Sequence, residues 1–211
     1  PALKDVIVVT EYDNRGRAHK VFQPFESTGS TGFPISIPVN TKFTSNTYEE
    51  SPLNRVKTTT PPSWYASTFD YGSNTSGTEV PNLDLGGNFV ANSLTKSTVT
   101  NPDGNKTIVY KDKLGKEILT WKTDPSNITG AKTYSLYDDK NRVKTVVPPG
   151  ATSAHTDAIF QYTYDGNDNV LTKKVPSRGI ANFKYNTKNQ LTLSQEAHFA
   201  TNNWLYSIYD P

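Results

Sequence analysis

This sequence predicts an all-β protein made of consecutive antiparallel hairpins. Three observations carry that expectation. One strand–turn–strand pattern recurs from the beginning of the chain to its end. The turn positions of the copies are filled from one small set of residues. The composition is poor in aliphatics yet rich in tyrosine, threonine and asparagine, which suits extended structure with one wet face.

The pattern is clearest at residues 8–24 (VVTEYDNRGRAHKVFQP). A β-branched run leads into Tyr12-Asp13, two polar residues follow, then Gly16-Arg17, and a second β-prone run ends at a proline. An Asp that accepts backbone N–H bonds opens a type I turn, and a residue able to take positive φ closes it three positions later. The pattern returns at residues 107–125 (TIVYKDKLGKEILTWKTDP), 133–149 (TYSLYDDKNRVKTVVPP), 160–176 (FQYTYDGNDNVLTKKVP) and 181–197 (ANFKYNTKNQLTLSQEA). A further copy starts at residues 204–211 (WLYSIYDP). Three residues on from Asp13, Asp112, Asp138, Asp165 and Asn186 stand Gly16, Gly115, Asn141, Asp168 and Asn189. All of these tolerate the left-handed region better than other residues do. From the second copy onward the leading residues lie 26, 27 and 21 positions apart, the spacing of an array of like supersecondary units.

Between the first and second copies the chain is less regular. Residues 26–40 (ESTGSTGFPISIPVN) carry Gly, Ser, Thr and two prolines, which exclude a central strand and predict a surface loop. Residues 42–62 predict a variant hairpin in which Asn54-Arg55 stands where Gly-Arg stands elsewhere and Ser51-Pro52 replaces Asp-x. Residues 64–71 alternate as a strand does, and residues 74–88 read as a polar loop. Residues 89–100 and 106–110 predict strands flanking Asn101-Pro102-Asp103-Gly104-Asn105, a strong turn signal. Helical periodicity is confined to one possible short turn at residues 155–159. The organisation is thus an irregular segment at 26–105 with long loops, and regular repeats over 106–211.

Hydrophobic residues make up 34% of the 211, but aromatics reach 11%, with 12 tyrosines. Disordered chains are poor in aromatic and β-branched residues, so disorder is disfavoured. The charge is +2, from 22 basic and 20 acidic residues mixed along the chain. No basic stripe marks a nucleic-acid partner, and no apolar run is long enough for a spanning helix. The absence of cysteine excludes disulfides, Cys-ligated zinc and thiol catalysis. The chain has no Met and stops inside a repeat. It reads as a piece of a longer protein whose outer strands would be left unpaired and prone to self-association.

Few residues suggest chemistry. His19, His155 and His198 share no close spacing. Ser30, in Gly29-Ser30-Thr31-Gly32, has loop composition rather than that of a nucleophile elbow, and phosphate-binding fingerprints are missing. Glu49-Glu50 and Asp138-Asp139 are adjacent pairs that a strand would point to opposite faces, so they cannot flank one glycosidic bond. Asp165, Asn167 and Asn169 imitate the front of a calcium loop, but Val170 replaces the glycine and Pro176 stands where a bidentate Glu is needed. Three Asn-x-Ser/Thr sequons, at Asn74, Asn105 and Asn127, read as chance. Trp64, Trp121 and Trp204 offer either a sugar-stacking platform or cross-strand packing, and packing is favoured. Arg17, Lys116 and Arg142 follow the turn residues, where a long side chain lies over the neighbouring hairpin. No enzymatic activity, metal or cofactor is expected.

The segments Tyr12–Arg17 (YDNRGR), Tyr137–Arg142 (YDDKNR) and Tyr164–Asn169 (YDGNDN) resemble the YD repeats of the RHS family. Residues 48–56 (YEESPLNRV) and 137–149 (YDDKNRVKTVVPP) are similar to segments of RHS-repeat proteins from Bacteroidota, and the likeness covers nearly the whole chain. The resemblance implies that the chain is part of the wall of a hollow β-shell enclosing a C-terminal effector, usually a toxin. It also implies the partners: the rest of the same large chain, the enclosed toxin and secretion-system components. It further implies export to the surface or medium, by the type IX route, and places the most variable material at residues 74–88. The family's DPxG-type junction motif is absent, and Asp210-Pro211 belongs to a YD repeat. A cell-surface module that adheres to carbohydrate through exposed aromatics is the alternative.

Overall fold

The computed structural model describes residues 5–27, 36–151, 156–200 and 202–209. Ser30 with its glycines, His155 and Asp210-Pro211, all weighed above, lie outside the described residues. The chain is all-β. Among the described residues, fifteen strands follow one another in antiparallel order along the chain, and two more form a small separate ladder. The chain divides into two compact units, Pro1–Tyr71 with Ser97–Thr107, and Gly72–Lys96 with Ile108–Pro211.

In the first unit, β1 (Asp5–Ile7) pairs with β4 (Phe25–Ser27), while β2 (Thr10–Tyr12) pairs with β3 (Ala18–Phe22). β3 then pairs with β5 (Phe43–Tyr48), and β5 with β6 (Val56–Thr60). β6 pairs in turn with β7 (Ser67–Ser73). These strands are short and threonine-rich, and they bury little. Phe22 is their buried anchor, packed on Phe43 with ring centroids 5.3 Å apart. Thr47 and Thr58 share a hydroxyl hydrogen bond across the β5–β6 pair.

β8 (Thr95–Thr100) and β9 (Lys106–Lys111) flank the turn at Asn101–Gly104. The second unit continues through β10 (Glu117–Asp124), β11 (Asn127–Tyr137) and β12 (Val143–Val147) to β13 (Phe160–Tyr164). It ends with β14 (Val170–Val175), β15 (Gly179–Tyr185), β16 (Leu191–Gln195) and β17 (Leu205–Tyr206). A single 3-10 turn at Thr156–Ala158 precedes β13. Alternation of half-buried and exposed residues is cleanest in β7 and β13, as period-two side-chain direction requires. The buried core of this unit is Val80, Leu94, Ile108, Tyr110 and Leu119, with Phe89, Ile118, Trp121 and Tyr134 packed around it.

Four sequence expectations need correcting. The strand expected at 64–71 is displaced to Ser67–Ser73, because Ser63 takes φ +63° after Pro61-Pro62 and puts Trp64 in a turn. The strand expected from residue 89 begins at Thr95. Before that, the amides of Phe89, Asn92 and Leu94 bond to Val80 O, Asn74 O and Asn74 Oδ1 rather than to a ladder. Residues 74–88 are not a wet loop: Val80 and Asn74 are fully buried, and Asn74 is satisfied by Leu94 N and Val90 O. Finally, Glu26 belongs to β4 rather than to the loop that follows.

Gly130 sits where no side chain fits. Gly130 has φ +56°, at a register shift between β10 and β11, and a Cβ there would collide with the Lys122 carbonyl oxygen and lie 2.8 Å from Trp121 Nε1. Gly16, at φ +73°, has open space around an added Cβ, so its constraint is the backbone angle alone. Gly130→Ala is therefore expected to destabilise the protein by at least ~2 kcal/mol. Gly16→Val is expected to cost more than ~1 kcal/mol and Gly16→Asn much less, since Asn tolerates the left-handed region. Denaturant melts of the three variants check the order, and equal losses at the two glycines would contradict it.

Candidate functional site

The densest polar chemistry lies along the turns. In the first of them Asp13 O accepts the Gly16 amide at 3.0 Å, and the Asp13 amide bonds back to Arg17 O at 2.9 Å. Asp13 Oδ1 accepts the amides of Arg15 and Arg17, both at 2.9 Å. The pairing slips by one residue at Tyr12, so Tyr12 stands opposite Ala18. This is a three-residue hairpin loop, a type I turn closed by a bulge at a left-handed residue. Asp138/Asn141 and Asn186/Asn189 repeat the same set of bonds, with φ +66° at Asn141 and +60° at Asn189. Gly115 (+80°) closes the turn that Asp112 opens, and Asp168 (+68°) the one that Asp165 opens.

Two further turns use the same chemistry in forms that sequence reading did not connect. Asn101 accepts the amides of Asp103 and Asn105, with Gly104 at φ +81°. The clue was the same three-residue spacing, masked by a closer repeat distance. In the variant hairpin Glu49 takes the part of Asp, with Asn54 at φ +51° as the left-handed residue. Its longer side chain spans a longer loop, accepting Ser51 Oγ at 2.6 Å and Arg55 Nε and Nη2 at 2.8 Å each.

In several of these turns the residue after the left-handed position closes the turn and then reaches onward. Arg17 Nε binds Asp13 Oδ2 at 2.7 Å while its Nη1 donates to Glu49 O at 3.1 Å, in the following turn. Arg142 does likewise, with Nε on Asp138 Oδ2 at 2.7 Å and Nη1 on Asp165 O and Asp168 Oδ1. Lys116 reaches Asn141 Oδ1 at 2.9 Å, and Asn169 reaches Asn189 Oδ1 at 3.0 Å. Each cation also covers the tyrosine that precedes the next turn. Arg17 lies 4.6 Å from the centroid of Tyr48, Arg55 4.2 Å from Tyr71, Lys116 5.1 Å from Tyr137 and Arg142 4.5 Å from Tyr164.

Those tyrosines complete the connection. Tyr48 OH donates to Ala18 O, Tyr71 OH to Val56 O, Tyr137 OH to Glu117 O, Tyr164 OH to Val143 O and Tyr209 OH to Leu191 O, at 2.7–3.0 Å. Ala18, Val56, Glu117 and Val143 are each the first residue beyond the cation that covers the tyrosine, and Leu191 is the first beyond Gln190. The sequence signal was present, since a tyrosine stands before the turn in copy after copy, but packing across strands was the role read for it.

The carboxylates are tuned by these contacts. The Arg17 amide, aided by the Arg17 guanidinium and the Arg15 amide, holds Asp13 below the ordinary value of 3.8. Burial raises Asp138, but Arg142 outweighs it and the net shift is downward. Arg55 first and Ser51 second hold Glu49 at about 2. In the insertion of the second unit, Glu79 accepts Lys96 Nζ and Tyr110 OH at 2.6 Å each and the Thr75 amide at 2.7 Å. Burial raises Glu79, yet these donors bring it to about 2, while Tyr110 is pushed up to about 12, chiefly by burial.

Other candidates are placed apart. His19 Nδ1 lies 3.2 Å from Asn46 O, and His198 stacks edge-on with Phe199. Among the described residues, no three His, Cys, Asp or Glu side chains gather as a metal site. Asp165 and Asn169 bond to each other at 2.9 Å. Trp121 and Trp204 lie beneath Lys132 and Lys184, whereas Trp64 and Tyr65 are 73% and 81% exposed. A cavity of about 200 Å³ lies between residues 81–85 and the β10–β11 face of the second unit, lined by Leu83, Phe89, Ile118 and Tyr134. The Lys144–Asp84 ion pair, at 2.6 Å, ties down the segment over it. No helix among the described residues is long and apolar enough to cross a membrane.

No protein-family model and no curated protein matches this sequence. Solved structures do. The crystal structure of TcdB2-TccC3-TEV is similar with a TM-score of 0.62 at 14% identity, over 89% of this chain and 9% of that one. That of TcdB2-TccC3 is similar with a TM-score of 0.59 at 14% identity, over 88% of this chain and 9% of that one. At this identity the likeness shows a common fold, and this chain spans about a tenth of the solved chains' length.

Two outcomes follow from the turn geometry. Arg142→Gln and Tyr164→Phe should each lower stability and should couple in a double-mutant cycle; strict additivity would separate them. Depressed carboxylates stabilise the fold above their unfolded values and lose that contribution as pH falls through the folded ones. Stability should therefore fall between pH 4.5 and about 2, the window of Glu49 and Glu79. Glu79→Gln should remove roughly 2 kcal/mol at neutral pH and flatten that acid limb. An unchanged acid limb in urea melts of this variant would contradict the assignment.

Proposed function

We propose that this chain is a segment of the wall of an RHS-type β-shell that encloses a C-terminal effector, a toxin, and keeps it sequestered until delivery. The observation that carries the reading is the turn ladder, in which Arg17, Arg55, Lys116 and Arg142 cover Tyr48, Tyr71, Tyr137 and Tyr164 and each of those tyrosines bonds back to a carbonyl of the preceding hairpin. A wall of this kind needs strength along the array rather than a catalytic cleft, and every carboxylate opening a turn is engaged in holding that turn. The fold shared with TcdB2-TccC3 and the YDNRGR, YDDKNR and YDGNDN segments support the same reading. The role is mechanical and non-enzymatic. Export to the surface or medium, in a Bacteroidota-type protein using the type IX route, completes the proposal on the strength of the sequence resemblance.

A second reading keeps one specific observation. Trp64 and Tyr65, adjacent in the segment between β6 and β7, are both largely exposed, as aromatics that stack on a sugar need to be. A glycan array with the protein and its Trp64→Ala variant separates the two, since binding lost in the variant favours adhesion.

The shell reading is tested on the parent chain with its C-terminal region. That region should resist limited proteolysis until the wall is loosened by Arg142→Gln combined with Tyr164→Ala. Digestion at the rate of the free C-terminal region, without any loosening, would overturn the reading.

A further inference from the structure

Arg15, Arg17, Arg55 and Arg142 each place the guanidinium on a carbonyl or a carboxylate. Arg178 does not. It stands exposed in the β14–β15 turn, after Ser177 at φ +59° and before Gly179 at φ +86°. Among the described residues its guanidinium has no hydrogen-bond, ion-pair or ring partner. Two other exposed groups are equally free among the described residues, Lys173 on β14 and Glu196 just past β16. All three line one pocket of about 160 Å³ within the second unit.

The pocket arises from small residues between larger ones. Lys173 pairs with Ala181 and Val175 with Gly179 across β14 and β15, so these four share one face of the sheet. Ala181 and Gly179 fill little of the space between Lys173 and the chain that leaves β16. Gly179 approaches that chain closely, since an added Cβ would lie 2.8 Å from the Ala197 Cβ. Asn182 pairs with Gln195, which brings the next residue, Glu196, to the level of Ala181. Phe183 contributes a further wall.

We propose that this pocket binds a free acidic α-amino acid, glutamate or aspartate. Charge complementarity selects that class. Two cations and one carboxylate match a ligand with two carboxylates and one ammonium, on a skeleton small enough for about 160 Å³. An inorganic anion or a plain dicarboxylate sets a like charge against Glu196. A neutral amino acid leaves one of the two cations unmatched. A peptide terminus supplies either the ammonium or the α-carboxylate, never both. Arg178 takes one carboxylate with its planar fork, Lys173 takes the other as a point charge, and Glu196 accepts the ammonium. The contacts are solvated, so the affinity is modest, roughly millimolar. The inference is independent of the shell reading, and its failure would leave that reading intact.

The test is a titration of the protein with L-glutamate and with L-aspartate at low ionic strength, followed by the shifts of its backbone amides in NMR spectra. One or both should give saturable shifts centred on residues 173, 178–181 and 196. Glutarate, which lacks the ammonium, and glutamine, which lacks the second carboxylate, should bind about fivefold more weakly. Arg178→Gln and Lys173→Gln should each weaken binding of the amino acid by a similar factor. Glu196→Gln should weaken it too but leave glutarate no weaker, which erases the preference between them. All three side chains are exposed, so the variants keep the fold. The absence of saturable shifts up to ~50 mM of either amino acid would overturn the proposal. So would glutarate binding as tightly as the amino acid, or a preference that survives Glu196→Gln.

Discussion

The structure depends on one interaction repeated along its turns: a cation that is fixed from behind and therefore able to cover a tyrosine in front. A long basic side chain on a strand surface ordinarily loses rotamer entropy comparable to anything it gains. Here the opening Asp accepts two backbone amides with one oxygen and, in the first and third regular copies, the guanidinium with the other. The guanidinium is thereby held before it meets the next hairpin. What remains exposed of Arg17 or Arg142 is a planar face and a free Nη1, and these receive the ring and the carbonyl of the following turn. The bulge contributes the geometry, since it sets Tyr12 opposite Ala18 and Tyr137 opposite Val143. The residue opposite one tyrosine is then the one whose carbonyl accepts the next tyrosine's hydroxyl.

This explains how a chain only 34% hydrophobic sustains so much sheet. The core of five buried residues is confined to the insertion and the strands it covers, β9 and β10. Elsewhere the hairpins around Tyr48, Tyr71, Tyr137 and Tyr164 are joined to their neighbours by a cation–π contact, a hydroxyl–carbonyl bond and the strand ladder itself. Each contributes about a kilocalorie, and together they act between nearest neighbours, as in other repeat proteins. The insertion at residues 74–94 leaves this scheme locally and compensates with a different one. Asn74 replaces missing ladder bonds, and Glu79 gathers Lys96, Tyr110 and the Thr75 amide into a satisfied cluster. Lys96 still lies over the Tyr110 ring, at 5.4 Å, so the cation–tyrosine contact survives even where the turn does not.

How much of this could be read in advance follows from the range of each signal. The antiparallel architecture was legible because its causes are local: Asp13 to Gly16 and Asp138 to Asn141 are three residues apart, and period-two patterning needs only a few residues. The Asn101–Gly104 loop was legible as a turn, though not as another member of the set, because its neighbour Asp112 lies only 11 residues on. The substitution of Glu49 for Asp was not legible. It depends on the reach of one extra methylene across a loop whose length a sequence does not display. The burial of Val80 and Asn74 was hidden for the opposite reason, since a stretch rich in Gly, Ser, Thr and Asn looks solvated until β9 and β10 are seen beneath it. The tyrosine hydroxyls were the largest omission, because Tyr164 and Val143 are 21 residues apart and no local rule pairs them.

The ladder also has a direction, and that limits what such an array can do. The covering residue always belongs to the earlier turn and the covered tyrosine to the later one. An array built in this way presents a tyrosine at one end and a covering side chain at the other, so its two ends differ in chemistry. Contacts between unlike ends add head to tail and do not close by a two-fold axis. Nothing in the repeat terminates it. Termination requires a unit that departs from the rule, either by withholding the tyrosine or by replacing the cation. The second of these replacements occurs at Asn105, Asn169 and Gln190, which stand in the place of Arg or Lys. Asn169 still bridges to Asn189, but with a neutral amide that offers no charge to the ring beyond it. The connection therefore weakens from Arg142 onward in one direction, and hydrogen bonds to carbonyls, such as Tyr209 to Leu191, carry more of the joining there.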